Sequence, residues 1–150
     1  MIADSIVIAG LPESRDDADL AGFEADVVEL TAQERRRPRR RVVTRGERVL
    51  TLMLPSGETL TPGGLLHVGS GWYVTVEAAS EALLAVHPRS AREAIRVALE
   101  AGRLHSALAV AGGRLLVPDE PGAERLLQRL GVRWERTHEP FHPISTGSPH

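Results

Sequence analysis

Between Ala78 and Ser80 the hydrophobic period of this chain changes, and the change restricts it to a two-part α+β design. Upstream, from Arg40, apolar residues come in short β-type runs at 40–44, 48–54, 65–68 and 72–77. Arg45-Gly46-Glu47, Pro55-Ser56-Gly57, Pro62-Gly63-Gly64 and Gly69-Ser70-Gly71 separate them. Gly and Pro at those intervals supply positive or preset φ between strands, so the first half predicts an all-β unit. Residues 13–30 are rich in Asp, Glu and Ala without a clean period; they predict a linker or marginal helix ending in a strand at 26–31.

Downstream the spacing becomes helical. Residues 81–86 predict a strand, and Pro88-Arg89-Ser90 leads into a helix with Ala91, Ala94, Ile95, Ala98 and Leu99 at intervals of three and four. Ser90 caps its start, and Gly102 is expected to supply its left-handed stop. Residues 106–110 and 114–117 predict a hairpin about Ala111-Gly112-Gly113. Asp119 or Glu120 with Pro121 opens a second helix through Ala123, Leu126, Leu127 and Leu130, which Gly131 ends, and 132–136 predicts the closing strand. The order β-α-β-β-α-β is the ferredoxin-like split arrangement. The expected organisation is therefore an N-terminal all-β domain at 1–79 with an acidic segment near its start, a ferredoxin-like domain at 80–143, and a flexible tail at 144–150. Beyond Thr137, His and Pro without a core pattern predict extended chain.

Composition closes several chemistries. There is no cysteine, so disulfides, thiolate ligands and thiol catalysis are excluded, and any metal site must use His, carboxylates and water. All 18 basic residues are Arg, which removes Schiff-base and phosphate-loop lysines. No stretch approaches the roughly 18 to 20 apolar residues of a membrane helix, and the N-terminus lacks a signal pattern, so a cytoplasmic protein without a membrane partner is expected. The acidic segment 13–29 and the arginines of 35–48 predict mutual neutralisation.

Six histidines are the candidate chemistry. His67 and His87 sit in or beside strand ends and read as structural. His105 follows the helix stop, where a short connection presents its ring at the sheet edge. His138, His142 and His150 fall in the expected tail, where Pro140 and Pro143 prevent a helix from aligning the first two. Nitrogen donors without thiolate suit nickel, copper and zinc. The run of arginines at 35–41 offers a second reading, an RNA- or ribosome-associated β module, since clustered guanidinium groups displace counterions from phosphate. A solvated strand edge protected by charge and Pro explains the same run, and aromatic residues for base stacking are scarce. His105 and Ser106 are adjacent on a predicted strand and point to opposite faces, so they form no nucleophile and base pair. With no nucleophile elbow and no paired carboxylates, an enzyme is not expected.

In their order along the chain, several pieces resemble one family. They are the Arg-rich segment 34–41, Leu54-Pro55-Ser56-Gly57-Glu58-Thr59-Leu60 followed by Pro62-Gly63-Gly64-Leu65-Leu66, and Glu81-Ala82-Leu83. A helix ending in Gly102-x-x-His105, then Leu127-x-x-Leu130-Gly131 and Pro140-Phe141-His142-Pro143, complete the set. The pattern is similar to the urease accessory nickel metallochaperones, the UreE family. That resemblance implies a β domain likened to chaperone peptide-binding modules, a ferredoxin-like metal-binding domain, and a homodimer with Ni(II) at its interface. Zn(II) or Cu(II) are alternative occupants. It further implies delivery to apo-urease through the accessory GTPase complex. His105 matches the family's interface histidine, and His150, His142 or His138 would be auxiliary ligands. The chain departs from the family at Gly102-Arg103-Leu104-His105, where relatives usually read Gly-Asn-Arg-His, and at Ile144, where they carry Glu. It also has no histidine at 114–124 and a tail reduced to His150, which implies few metals per dimer.

Overall fold

The computed structural model describes residues 5–13 and 17–144 and divides into two compact units between Ala79 and Ser80. The first unit holds six strands: β1 (Ile6–Ile8), β2 (Glu24–Leu30), β3 (Arg39–Val43), β4 (Val49–Met53), β5 (Leu65–Val68) and β6 (Trp72–Ala78). They form two three-stranded sheets, β1-β4-β3 and β2-β6-β5. One core joins the sheets, with Ile8, Val42, Leu50 and Leu52 from the first meeting Val28, Leu30, Leu66, Val74 and Val76 from the second. These residues alternate along their strands, as a half-buried pleat requires.

The strand expected at 26–31 is present as β2, and the described part of the linker or marginal helix expected before it holds a single 3₁₀ turn at Asp17–Leu20. The regular strand signal is broken by Asp26, which takes an inward position opposite Val74 where an apolar side chain would ordinarily sit. Its carboxylate accepts from the Thr44 hydroxyl at 2.6 Å, Arg48 Nη1 at 2.7 Å, and the N–H groups of Val27 and Gly46 at 2.8 and 2.9 Å. Burial pushes the Asp26 carboxyl up; the Thr44, Arg48, Gly46 and Val27 hydrogen bonds outweigh it and bring its pKa down to about 2. Asp26 thereby ties β2 to the β3–β4 turn. Glu24 and Glu29 pair with Arg48 and Arg45, so the acidic segment does neutralise arginines, though those of the turn. After β2, Thr31 and Glu34 form a reciprocal capping box that starts the one-turn helix α1 (Ala32–Arg35).

The second unit contains β7 (Ser80–Val86), α2 (Ala91–Arg103), β8 (Ala109–Ala111), β9 (Arg114–Pro118), α3 (Pro121–Leu130) and β10 (Trp134–Pro140). Its sheet runs β10-β7-β9-β8 with every neighbouring pair antiparallel. This is the expected ferredoxin-like order, and the architecture is α+β. Ser90 caps α2 by accepting from the Glu93 N–H at 3.1 Å, Pro121 opens α3, and Gly131 ends it at φ 69°. Gly112 and Gly113, both at positive φ, make the two-residue turn of the β8–β9 hairpin.

Three expectations need correction. Gly102 is helical, and the left-handed residue is His105. The inward face of α2 is Ala94, Val97 and Ala101, which join the core with Leu84, Val86, Val117 and Leu127, while Ile95 and Leu99 are exposed. Apolar residues cover more than half of this helix, and the small ones turn inward because they let its axis approach the sheet. Finally, the closing strand extends to Pro140, so His138 belongs to a strand and not to a free tail.

Candidate metal site

The site begins at the C-terminal end of α2. There the N–H of Ser106 donates to Ala101 O at 2.9 Å and that of His105 to Gly102 O at 3.0 Å, the two bonds of a Schellman motif with Leu104 as C-cap. His105 therefore occupies C′, at φ 55°. Glycine is the residue this position favours, because a Cβ in the left-handed region crowds the backbone. The His105 side chain is exposed, and the carbonyl end of α2 carries the partial negative charge that favours a cation nearby.

Apolar side chains are exposed along α2 and at its C-cap. Ile95 is 60% and Leu99 64% exposed, four residues apart on α2, and Leu104 is exposed too. Leu104 also lines a cavity of about 210 Å³ between α2 and α3, with Val97, Ala101, Leu126 and Leu127 on its walls and Glu120 as its charged member.

The chain end is anchored next to this loop. Phe141, directly after β10, is buried, and the N–H of Ile144 donates to Leu108 O at 2.7 Å. Residues 141–144 thus pass from the β10 edge of the sheet to the residue preceding β8, at the opposite edge. His142 is exposed on this strap. His138 is exposed in β10 opposite Ala82, separated from β8 by β7 and β9, roughly 14 Å at ordinary strand spacing. His150 lies outside the described residues. Sequence reasoning missed both the strap and the outward turn of Ile95 and Leu99; the strap's only sequence signal is Phe141, a large apolar side chain in a segment otherwise read as tail. Among the described residues no three His, Asp or Glu side chains come together as a metal site.

The other histidines have local roles. His67, in β5, packs its ring against Trp72 with centroids 5.3 Å apart, and burial lowers its pKa. His87 Nε2 lies 3.1 Å from Glu135 Oε1. Arg114 makes a bidentate pair with Glu139 at 2.8 and 3.0 Å. The Arg114 guanidinium, with the Thr137 hydroxyl, holds the Glu139 carboxyl down at about 2.

The arginine run at 35–41 forms no continuous phosphate track. Arg35 is buried and donates to Leu30 O at 2.8 Å, Arg40 pairs with Glu34 at 2.9 Å, and Arg39 and Arg41 stand on a sheet face. The nucleic-acid reading finds no support here. Among the described residues no helix is long and apolar enough to cross a membrane.

Residues 7–79 match the family model of the UreE urease accessory protein N-terminal domain, and residues 81–149 that of the C-terminal domain. The chain is similar to the urease accessory protein UreE of Deinococcus radiodurans, with 38% identity over 135 residues, 90% of this chain and 86% of that protein. It is similar to that of Sinorhizobium fredii, 34% identical over 78% of this chain and 74% of the relative. It likewise resembles that of a Synechococcus strain, 35% identical over 82% of this chain and 77% of the relative.

Proposed function

Because the chain belongs to the UreE family of urease accessory proteins, we propose that it is a homodimeric chaperone that holds Ni(II) between the His105 rings of two copies and releases it for assembly of the urease metallocentre. It is an accessory protein and not an enzyme. The observation that carries the nickel reading is His105 itself, an exposed imidazole held at a left-handed C′ position where the backbone alone favours glycine.

One imidazole is too few donors for tight nickel binding, and among the described residues no group of three or more His, Asp or Glu side chains is gathered around it. The remaining donors must come from elsewhere. A two-fold axis beside His105 supplies a second copy of the same ring, since an isologous interface sets one patch against itself. Exposed Ile95, Leu99 and Leu104 provide apolar surface for that contact. The tail supplies the rest. With Ile144 bound to Leu108, three residues from His105, the six residues that follow reach at most about 20 Å, which keeps His150 within range. His142 on the strap is the second auxiliary donor, whereas His138, fixed in β10 roughly 14 Å from β8 at ordinary strand spacing, is the least able of the three to reach the site.

A thiolate-free imidazole site also accepts Zn(II) or Cu(II). The partners are the accessory GTPase and the apo-urease complex, reached in the cytoplasm. Calorimetric titration with Ni(II) tests the reading: about one tight nickel per dimer is expected on symmetry grounds, and His105→Ala should remove it. Equal stoichiometry and affinity in the wild type and the variant would overturn the site.

A further inference from the structure

The helix layer of the second unit carries a basic end that its own acids do not offset. Val97 and Ala101 of α2 and Ala123 and Leu127 of α3 turn into the core, so the opposite faces of both helices point to water. Arg92 and Arg96 stand there on α2, and Arg125 and Arg129 on α3, each pair one turn apart and all four exposed. The N–H of His87, shortly before the Ser90 cap, donates to Arg133 O at 2.8 Å. That bond sets the start of α2 beside the end of α3 and adds Arg133, also exposed, to the group.

Among the described residues none of these five arginines makes an ion pair or a side-chain hydrogen bond, while Arg89 is paired with Glu93, Arg103 with Glu100 and Arg136 with Glu124. The chain as a whole has a net charge of -2, so the excess is local. Helix stability does not explain it. Like charges one turn apart weaken a helix, and both pairs are of that kind. Arg92 lies in the first turn of α2, where the positive end of the helix dipole favours an acid.

We propose that this end of the helix layer docks the acidic face of a partner protein's helix, whose carboxylates, set one turn apart, meet the guanidinium groups of Arg92, Arg96, Arg125 and Arg129. Spacing matches as well as sign, because side chains one turn apart are about 5 to 6 Å apart on either helix. A guanidinium fork takes a carboxylate through two parallel N–H···O bonds. Other occupants fit less well. Neither helix carries an aromatic side chain on which a base would stack, and rows this short make a weak phosphate track. A second copy seated here by a two-fold axis would set arginine against arginine. His105 lies at the other end of α2, roughly 20 Å from Arg92 along the helix. The surface shares no residue with the metal proposal and does not depend on it.

Fluorescence anisotropy of the full chain with a labelled Ala-based helical peptide carrying Glu at every fourth position tests this, beside the matched peptide with Gln for Glu and an RNA oligomer. The Glu peptide should bind in the micromolar range and weaken as salt is added. Arg92→Glu and Arg129→Glu should each weaken it by about fivefold or more, with the nickel titration unchanged. Arg92→Glu should leave the melting temperature equal or higher, since it removes a like-charge pair and suits the dipole. Absence of binding, equal binding by the variants or by the Gln peptide, or preference for the RNA overturns the proposal. Concentration-dependent self-association that Arg92→Glu abolishes does so as well.

Discussion

The N–H of His105 closes the end of α2 on the carbonyl of Gly102 at 3.0 Å while His105 itself is left-handed at φ 55°. A Cβ in that region costs roughly 1 kcal/mol relative to glycine. His105→Gly is therefore expected to raise stability by about 0.5 to 1 kcal/mol, and His105→Ala to change it by less than about 0.5 kcal/mol. Both should lose the tight nickel site. Urea unfolding midpoints decide the first point, and a lower midpoint for His105→Gly would mean that the ring packs against the fold.

Removing residues 145–150 keeps the Ile144 to Leu108 hydrogen bond and deletes the tethered donor. Nickel affinity should fall by roughly tenfold or more, since a tethered ligand acts at high effective concentration, while binding persists. Competition with a chelating dye measures this. Complete loss in a folded, dimeric truncation would show that the tail builds the site instead of tuning it.

Leu99→Glu sets a carboxylate on the exposed stripe of α2. If that stripe faces its own copy, two buried like charges result and the dimer should give way to monomer, with the tight nickel lost. Sedimentation equilibrium at micromolar concentration reads the outcome. An unchanged dimer would move the interface elsewhere.

Asp26 should govern acid stability of the first unit. Its folded pKa, about 2, lies below the ordinary 3.8, so its stabilisation is fully present above the ordinary value and is lost as pH falls through the folded one. The part at stake is on the order of 2 kcal/mol. Asp26→Asn should destabilise the protein at neutral pH by about 2 to 4 kcal/mol, because Arg48 and Thr44 lose their partner. It should also flatten the decline between pH 4 and 2. Urea titrations across that range compare the slopes, and a variant that declines as steeply as wild type would contradict the assignment.

Gly69→Ala should fail for a different reason. A Cβ there would lie 2.1 Å from Trp72 Cε2, and that ring is already held between His67 and the Arg48 guanidinium, 4.3 Å from its centroid. Displacing it should cost about 1 to 3 kcal/mol and shift tryptophan emission. Thermal unfolding followed by fluorescence checks both, and an unshifted melting temperature would mean that Trp72 moves freely.

Much of the fold was legible where a few neighbouring residues decide it. Ser90 before α2, Pro121 and Gly131 around α3, and the Gly112-Gly113 turn act through local backbone chemistry, and the βαββαβ order followed from them. The capping box of Thr31 and Glu34 is equally local, but the helix it starts is a single turn, too short to leave a periodic signal. β2 was legible from Asp26 onward, two residues after its start at Glu24, but the inward place of Asp26 makes sense only with Arg48, 22 residues away, beside it.

The sequence by itself determined the period switch at Ser80, the thiol-free and lysine-free donor set, and the place of His105 just after a helix. Only the tertiary structure decided which face of α2 turned inward, that His105 and not Gly102 is left-handed, and that His138 is held in a strand. It also decided that the arginines of 35–41 divide between buried, paired and exposed roles. The physical reason is range. Caps and turns are settled within a few residues, whereas the choice of face, the burial of a charge and the anchoring of Ile144 on Leu108 depend on groups that meet only when distant segments pack.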